Sequence, residues 1–222
     1  MAFEAEKAAV IRISQQMYRS GMINMFEGNV SVLSGDVILI TPSQQGKESL
    51  TEDQIIEMDR DGAVLNPECG LKPSSEAMMH VALYRMRPDI RAIIHNHSAY
   101  ATAYAMAGLP IESVSHPELN FLFGKVPVVP YGTPGTERIY EGIEPLIRDY
   151  NVVLLENHGV LSVGKTAEIA FSRVEAVEKI AKTLLMTRLL GGEKPIPERE
   201  LQLMRAGGQQ ARHKEMGREC QP

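Results

Sequence analysis

The chain has 222 residues, of which 44% are hydrophobic and 23% charged, and its formal net charge is −5. This length and composition predict a folded protein with a full hydrophobic core. The negative charge disfavours a nucleic-acid-binding protein, and no apolar run is long enough to span a membrane. Two cysteines outside any CxxC spacing, Cys69 and Cys220, are typical of a reducing compartment. We therefore expect a soluble, cytoplasmic protein that binds neither nucleic acid nor membrane.

The first part of the chain mixes helix and strand signals. Residues 3–20 predict an amphipathic helix that stops at Gly21. Residues 30–33 and 37–40 flank a short turn and predict a hairpin. Thr51 opens a capping box, which predicts a short helix.

The middle of the chain predicts two helices around a buried strand. A helix over residues 75–86 must end near Pro88, and a strand at 91–94 then leads into His95. Ser98 is the expected cap of the next helix, which is followed by a loop-rich stretch around a short strand at 126–129.

The last part predicts a helix from Thr136 that Pro145 breaks, a buried strand at 152–155, and a long helix capped by Thr166. Beyond Gly192 we expect at most one short helix and a frayed tail. The interspersed elements predict an α/β sandwich, with helices on both faces of a sheet that is largely antiparallel.

Three histidines follow buried strands in this scheme. The i, i+2 spacing of His95 and His97 places both imidazoles on one face of an extended chain, and His158 follows the strand at 152–155. Three imidazoles and an open position are the usual composition of a catalytic Zn²⁺ site. Turn histidines show similar patterns, so the residues alone leave both interpretations open.

A helix start with adjacent hydroxyl groups offers an anion site. Ser74 or Ser75 is the expected N-cap of the helix that carries Glu76 and His80, and its first turn has unpaired backbone N–H groups. Glu76 and His80 are four residues apart, so they either interact or face one cavity. An ordinary capped helix is the alternative here, and an ordinary turn is the alternative at two strand borders, Gly28-Asn29 and Thr41-Pro42-Ser43.

Taken together and in order, five segments resemble the class II aldolase/adducin family, and within it the L-fuculose-1-phosphate aldolases. The segments are Gly28-Asn29-Val30-Ser31-Val32, Leu39-Ile40-Thr41-Pro42-Ser43, Lys72-Pro73-Ser74-Ser75-Glu76, His95-Asn96-His97-Ser98 and Asn157-His158-Gly159. They lie within residues 5–190, and their shared order makes the resemblance specific.

The resemblance implies a three-layer sandwich whose central, largely antiparallel sheet is covered by helices on both faces. The catalytic domain would be residues 1–192, followed by a C-terminal helix and flexible tail over 193–222. One Zn²⁺ per subunit would be bound by His95, His97 and His158. The substrate phosphate would be bound by Gly28, Asn29, Thr41, Ser43, Ser74 and Ser75. The family enzymes are usually homotetramers with active sites at subunit interfaces.

The implied activity is aldol cleavage of a ketose 1-phosphate to dihydroxyacetone phosphate and an aldehyde. The candidate substrates are L-fuculose 1-phosphate and a 5-deoxy- or 5-methylthio-ribulose 1-phosphate. Zinc would stabilise the enediolate, and Glu76 would deliver the proton that completes dihydroxyacetone phosphate. Three alternatives stay open: an L-ribulose-5-phosphate 4-epimerase, which would carry Asp at position 76, a metal-dependent decarboxylase on the same fold, and a non-enzymatic adducin-like interaction domain.

The chain departs from the family on the aldehyde side of the pocket. His116 stands where the family has a tyrosine from a neighbouring subunit, and histidine can transfer protons near neutral pH. We therefore predict His116, with Glu118 beside it, as a catalytic replacement, the alternative being a loop residue next to Pro117. Further departures are Gln44 in the phosphate loop, Pro134 in the Gly-Thr loop and the lack of a tyrosine after Tyr150.

Overall fold

The computed structural model describes residues 3–217 and contains one seven-stranded sheet of strand order β3-β2-β1-β4-β7-β6-β5. The strands are β1 (Asn29–Ser34), β2 (Val37–Ile40), β3 (Ile56–Met58), β4 (Ala92–Asn96), β5 (Val128–Val129), β6 (Val152–Leu155) and β7 (Gly159–Gly164). Within the described residues, β5 and β6 are parallel and every other pair is antiparallel. The predicted, largely antiparallel sheet is confirmed.

Helices cover both faces of this sheet. They are α1 (Glu4–Arg19), α2 (Ala77–Met86), α3 (Ala99–Met106), α4 (Pro117–Leu122), α5 (Arg138–Glu141), α6 (Glu144–Ile147), α7 (Ala167–Leu189) and α8 (Glu198–Glu215), with 3₁₀ turns at Glu52–Gln54 and Pro67–Cys69. One apolar core lies between the sheet and α2, α5 and α6. Two further cores lie on the opposite face, under α1 and α7 and under α3, α4 and α7. The α/β three-layer sandwich is therefore confirmed.

Most local predictions agree with the structure, and the hairpin of β1 and β2 has the expected turn. Helix α2 begins at Ala77, later than predicted, with Glu76 in the N-cap position and the Ser74 hydroxyl accepting from the Glu76 N–H at 3.3 Å. Ser98 precedes α3 but makes no capping bond through its hydroxyl. The carboxylate of Glu178 caps this helix instead, from α7, because it accepts from the first N–H groups of α3.

The C-terminal segment differs most from its prediction. The expectation of at most one short helix is wrong, because α8 has 18 residues. Its glycines read as helix breakers, but the Gly208 α-carbon faces the Phe121 backbone, where an added Cβ would lie 2.1 Å from the carbonyl oxygen. A glycine thus lets α8 pack closely on α4. Cys220 and the end of the predicted tail lie outside the described residues.

A membrane span is not found among the helices in residues 3–217, since none is both long and apolar enough.

Candidate active site

The start of β1, the end of β4 and the turn between β6 and β7 meet at one edge of the sheet. Asn29 pairs with His95 across β1 and β4, and Asn96 pairs with Val160 across β4 and β7. The turn into β7 holds His158, after a residue with positive φ, Asn157 at 55°. The sheet register therefore brings together segments that are far apart in sequence.

The three predicted metal ligands form one cluster. Ligand nitrogens of His95, His97 and His158 all lie within 4.8 Å of one another, and Nε2 of His95 is 2.9 Å from Nε2 of His97. In tetrahedral zinc sites the ligand nitrogens lie about 3.4 Å apart, since each Zn–N bond is near 2.0–2.1 Å. The spacing of the cluster thus fits a small divalent cation.

A backbone contact sets the tautomer of His95. Its Nδ1 lies 3.0 Å from the carbonyl oxygen of Val160, which can only accept, so Nδ1 carries the hydrogen. Nε2 is then the atom with a free lone pair, and it points into the cluster. Metal-binding histidines commonly use a carbonyl oxygen in this way.

Burial keeps two of these imidazoles neutral. It lowers the pKa of His95 to about 3, with the neighbouring His97 acting in the same direction. Burial also lowers the pKa of His158 to about 4, and the neighbouring His95 acts in the same direction. At neutral pH both side chains therefore keep a lone pair available for a cation, as metal binding requires.

Gly159 allows the histidines to come this close. An added Cβ would lie 2.4 Å from the carbonyl oxygen of Asn96 and 2.8 Å from Cδ2 of His97. Neither contact is possible for a real side chain without movement, so the Asn157-His158-Gly159 segment requires glycine for steric reasons.

Glu76 closes the fourth side of the cluster. Its Oε2 lies 3.3 Å from Nε2 of His95, and its Oε1 lies 3.3 Å from Nε2 of His158. The carboxylate is buried, and Oε1 has no hydrogen-bond partner among the described residues. A buried, unbonded carboxylate oxygen beside three imidazole nitrogens is a donor set that fits a divalent cation.

The predicted phosphate-binding segments lie next to each other. Residues 41–43 and 72–74 run antiparallel, since the Ser43 N–H donates to the Lys72 carbonyl at 2.9 Å and the Ser74 N–H donates to the Thr41 carbonyl at 3.2 Å. Ser75 lies beside Glu76 in a small cavity of about 110 Å³. The hydroxyl groups of Ser43, Ser74 and Ser75 therefore come from one compact region.

Two of the predicted phosphate-binding residues, Asn29 and Thr41, already form hydrogen bonds within the protein. Thr41 donates its N–H to Val30 at 3.1 Å and accepts from the Val30 N–H through Oγ1 at 3.2 Å, which leaves its hydroxyl hydrogen for a ligand. Asn29 donates from Nδ2 to Glu76 at 2.8 Å, which leaves one amide hydrogen. Gly28 has a positive φ of 69° and packs against the backbone of His95, where a Cβ would lie 2.8 Å from the carbonyl oxygen.

Gln44, directly after the predicted phosphate-binding segment 41–43, adopts a positive φ of 55°. This backbone conformation favours glycine, so Gln44 adopts it at an energetic cost that a glycine would not carry.

Among the described residues, His116 makes no hydrogen bond or ion pair with the histidine cluster or with Glu76. It occupies the N-cap position of α4, where its Nδ1 accepts from the Leu119 N–H at 3.3 Å. The carboxylate of Glu118 lies 3.3 Å from the same nitrogen. Within one chain, His116 is therefore a helix cap.

Three polar residues near the site were not predicted from the sequence. Glu27 lies 3.7 Å from Nδ1 of His97. Ser31 and Tyr84 belong to a buried hydrogen-bonded chain that ends at Glu76. The sequence does contain a spacing that points to Ser31 and Tyr84. Glu76, His80 and Tyr84 are four residues apart on one helix face, and Asn29 and Ser31 are two residues apart on one face of a strand.

The comparisons with known proteins agree with this geometry. The model of the Class II Aldolase and Adducin N-terminal domain matches residues 8–185. The chain therefore belongs to the class II aldolase and adducin family. A solved structure of an L-fuculose 1-phosphate aldolase superposes with a TM-score of 0.84 at 32% identity, and the match covers 93% of this chain and 97% of that chain.

Curated relatives of similar length carry three different activities in their names. The chain is 37% identical over 185 residues to an L-fuculose phosphate aldolase of Methanocaldococcus jannaschii, covering 83% of this chain and 98% of that protein. It is 32% identical to a 5-deoxy-D-ribulose 1-phosphate aldolase of Bacillus thuringiensis, with 91% and 94% covered. It is 33% identical to a 3-oxo-tetronate 4-phosphate decarboxylase of Escherichia coli, with 83% and 86% covered. Each of these three relatives is named for a reaction on a phosphorylated sugar or sugar acid.

Proposed function

We propose that this chain is a zinc-dependent aldolase that cleaves a ketose 1-phosphate into dihydroxyacetone phosphate and an aldehyde. The observation that carries the proposal is the position of Glu76, whose two carboxylate oxygens each lie 3.3 Å from a histidine nitrogen of the cluster. A carboxylate at the border of a cation site can move a proton at the carbon next to a polarised carbonyl group.

The reaction needs two proton movements. A base removes the C4 hydroxyl proton as the C3–C4 bond breaks, and the electron pair of that bond stays with C3. An acid then delivers a proton to C3, which completes dihydroxyacetone phosphate. A Zn²⁺ held by His95, His97 and His158 would supply Lewis-acid stabilisation of the negative charge that develops on the ketose oxygen.

We assign delivery of the C3 proton to Glu76, because its buried carboxylate borders the cluster. We assign removal of the C4 proton to His116 of a neighbouring subunit, helped by Glu118. His116 caps α4 in its own chain and has no described contact with Glu76, so it would act only across an interface. The proposal therefore includes a homotetramer with shared sites.

The phosphate would bind where residues 41–43 and 72–76 meet. Ser43, Ser74 and Ser75 would donate from their hydroxyl groups, and Asn29 and Thr41 would each have one hydrogen left to donate. The Gly28 backbone would border the same region. We propose that these contacts hold the substrate while Glu76 acts, and that residues 1–192 form this catalytic unit while 193–222 are an appended helix and tail in a cytoplasmic enzyme.

The aldehyde part of the substrate is the least constrained by the site. Relatives named for L-fuculose phosphate and for 5-deoxy-D-ribulose 1-phosphate support two candidates, and a 5-methylthio-ribulose 1-phosphate is a third.

A metal-dependent decarboxylase is the second candidate function. It is favoured by the 33% identical relative that is named a 3-oxo-tetronate 4-phosphate decarboxylase. The same cation site would stabilise the charge left on the carbon that loses CO₂. Glu76 rather than Asp disfavours the epimerase, and a clustered donor set disfavours an adducin-like interaction domain.

The test is a coupled assay for dihydroxyacetone phosphate with the zinc-loaded protein and a panel of ketose 1-phosphates. We expect product with wild type, loss of about 10²-fold or more in kcat for Glu76→Gln and His116→Gln, and no product after chelation. Glu175→Gln, an exposed change on α7, is the matched control and should match wild type. If the protein released CO₂ from a 3-oxo acid phosphate and cleaved no ketose 1-phosphate, the proposed function would be decarboxylase and not aldolase.

A further inference from the structure

A chain of buried polar side chains leads from Glu76 into the interior between α2 and β1. Asn29 donates from Nδ2 to Oε2 of Glu76 at 2.8 Å, and its Oδ1 lies 2.6 Å from Nε2 of His80. On the other side of the imidazole, Nδ1 of His80 lies 2.7 Å from the Ser31 hydroxyl, which lies 2.8 Å from the hydroxyl of Tyr84. All five side chains are buried.

The chemistry of these groups sets the direction of every hydrogen bond. The Asn29 amide presents Nδ2 to Oε2 of Glu76, so the same amide presents Oδ1, which can only accept, to His80. Nε2 of His80 must then donate, which leaves Nδ1 as an acceptor. Ser31 therefore donates to Nδ1 and accepts from Tyr84. Each donor in this chain points towards the carboxylate.

The environment of His80 supports this single arrangement. Burial lowers the pKa of His80 to about 3, with the Glu76 charge opposing the shift only in part. The imidazole therefore carries one hydrogen at neutral pH, as a side chain with one donor and one acceptor bond requires. Burial also raises the pKa of the Tyr84 hydroxyl, so Tyr84 keeps its hydrogen. The Ser31 oxygen at 2.8 Å is the nearer acceptor, and the Arg91 carbonyl oxygen at 3.5 Å is the more distant one.

The hydrogen-bonded chain does not form a path that conducts protons to Glu76. The Asn29 amide separates His80 from the carboxylate, and an amide nitrogen does not exchange protons in the way that water or imidazole does. If His80 carried its hydrogen on Nδ1 instead, its bare Nε2 would face the Asn29 oxygen. Rotation of the amide would relieve that contact but would place the oxygen against Oε2 of Glu76.

From this geometry we propose that His80 is a positioning residue for Glu76. It acts through Asn29, whose amide oxygen accepts from the Nε2–H of His80, while the Ser31 hydroxyl, supported by Tyr84, donates to Nδ1 on the other side of the ring. The catalytic part of the proposal rests on the proposed function, since it takes Glu76 as the group that moves the proton. The tautomer part does not.

The tautomer is tested in the zinc-loaded protein by ¹⁵N spectra of labelled histidine, with His80→Gln identifying the His80 signals by their loss. We expect the Nε2–H tautomer in wild type and in Ser31→Ala, with the Nδ1 signal shifted in Ser31→Ala because that nitrogen loses its hydrogen-bond donor. An Nδ1–H imidazole at His80 in wild type would overturn the proposal, whatever the enzyme does.

The catalytic part is tested by two substitutions at the same position. Glutamine can offer an amide N–H to Asn29, whereas leucine fills similar space without a donor. We expect His80→Leu to lower kcat by ~10- to 100-fold, with KM and bound zinc near wild type, and His80→Gln to recover much of the loss. Equal kcat values for the two variants, at a temperature where both are folded, would refute a positioning role.

The two proposals fail separately. A wild-type protein that cleaves no ketose 1-phosphate would remove the proposed function. The ¹⁵N spectra would still decide whether His80 holds the tautomer that the buried chain requires.

Discussion

Gly159 begins β7 directly beside His95, which lies in β4, and His97, which follows that strand. Alanine there would place a Cβ 2.4 Å from the Asn96 carbonyl oxygen, 2.8 Å from Cδ2 of His97 and 3.1 Å from Cε1 of His95. Close carbon–oxygen contacts stand at about 3.3–3.6 Å, so the strands must separate by about 1 Å. Because Asn96 pairs with Val160 here, that movement falls on the end of β4 beside the predicted metal ligands.

The size of the effect follows from this clash. Overpacking a well-packed interior costs about 1–3 kcal/mol, and a chain of this length loses about 2–4 °C in Tm for each kcal/mol. Disturbing the groups that support metal ligands weakens binding by about 10- to 100-fold. We therefore expect Gly159→Ala to lower zinc affinity by that factor and the Tm of the metal-free protein by about 2–12 °C.

Zinc affinity is measured by competition with a chromophoric chelator, and Tm by thermal unfolding after metal removal. Gly207→Ala is the control, because its Cβ would make an ordinary 3.7 Å contact with the Phe121 ring, away from the cluster. Wild-type zinc affinity in Gly159→Ala would refute the reasoning that places these histidines around a cation.

Two further predictions concern α8 and the buried histidine. Gly208→Ala places a Cβ 2.1 Å from the Phe121 carbonyl oxygen, so we expect this variant to have a lower Tm than wild type. Gly207→Ala should keep or raise the Tm, because alanine favours helix. Equal Tm values for the two variants would contradict the packing of α8 on α4. Below pH 6.5 a histidine in the unfolded chain takes up a proton, whereas buried His80, whose pKa is lowered to about 3, does not. The contribution of His80 to the free energy of unfolding is therefore fully present above pH 6.5 and is lost as the pH drops towards 3. Denaturant unfolding of metal-free protein at pH 7.5 and 4.5 should show wild type losing about 3 kcal/mol more than His80→Gln, and equal losses would contradict this prediction.

Local patterns in the sequence predicted much of the candidate site. The spacing of His95 and His97 on an extended segment puts both side chains on one face, and this follows from strand geometry alone. The strand before His158 was predicted from its four apolar residues, Val152–Leu155. The family resemblance supplied what spacing could not, namely that these strands meet and that Glu76 lies beside the cluster.

Features that depend on long-range packing were missed. A C-terminal helix was predicted, but not the 18-residue length of α8, because its low apolar content and paired glycines are typical of a loop until the Phe121 backbone is seen beside Gly208. The Glu178 cap of α3 was missed for the same reason, since the carboxylate comes from about 78 residues further along the chain. Neither contact leaves a local signal.

The sequence by itself determined the residue types of this protein's chemistry: three histidines, a glutamate at a helix start and adjacent hydroxyl groups, spaced so that short elements could carry them. Only the tertiary structure decided that Asn29, His80, Ser31 and Tyr84 form a buried, directed chain ending at Glu76. The physical reason is distance along the chain, because Asn29 and His80 are separated by 51 positions and meet only when α2 packs on β1. Hydrogen-bond direction then follows from donors and acceptors that no local pattern brings together.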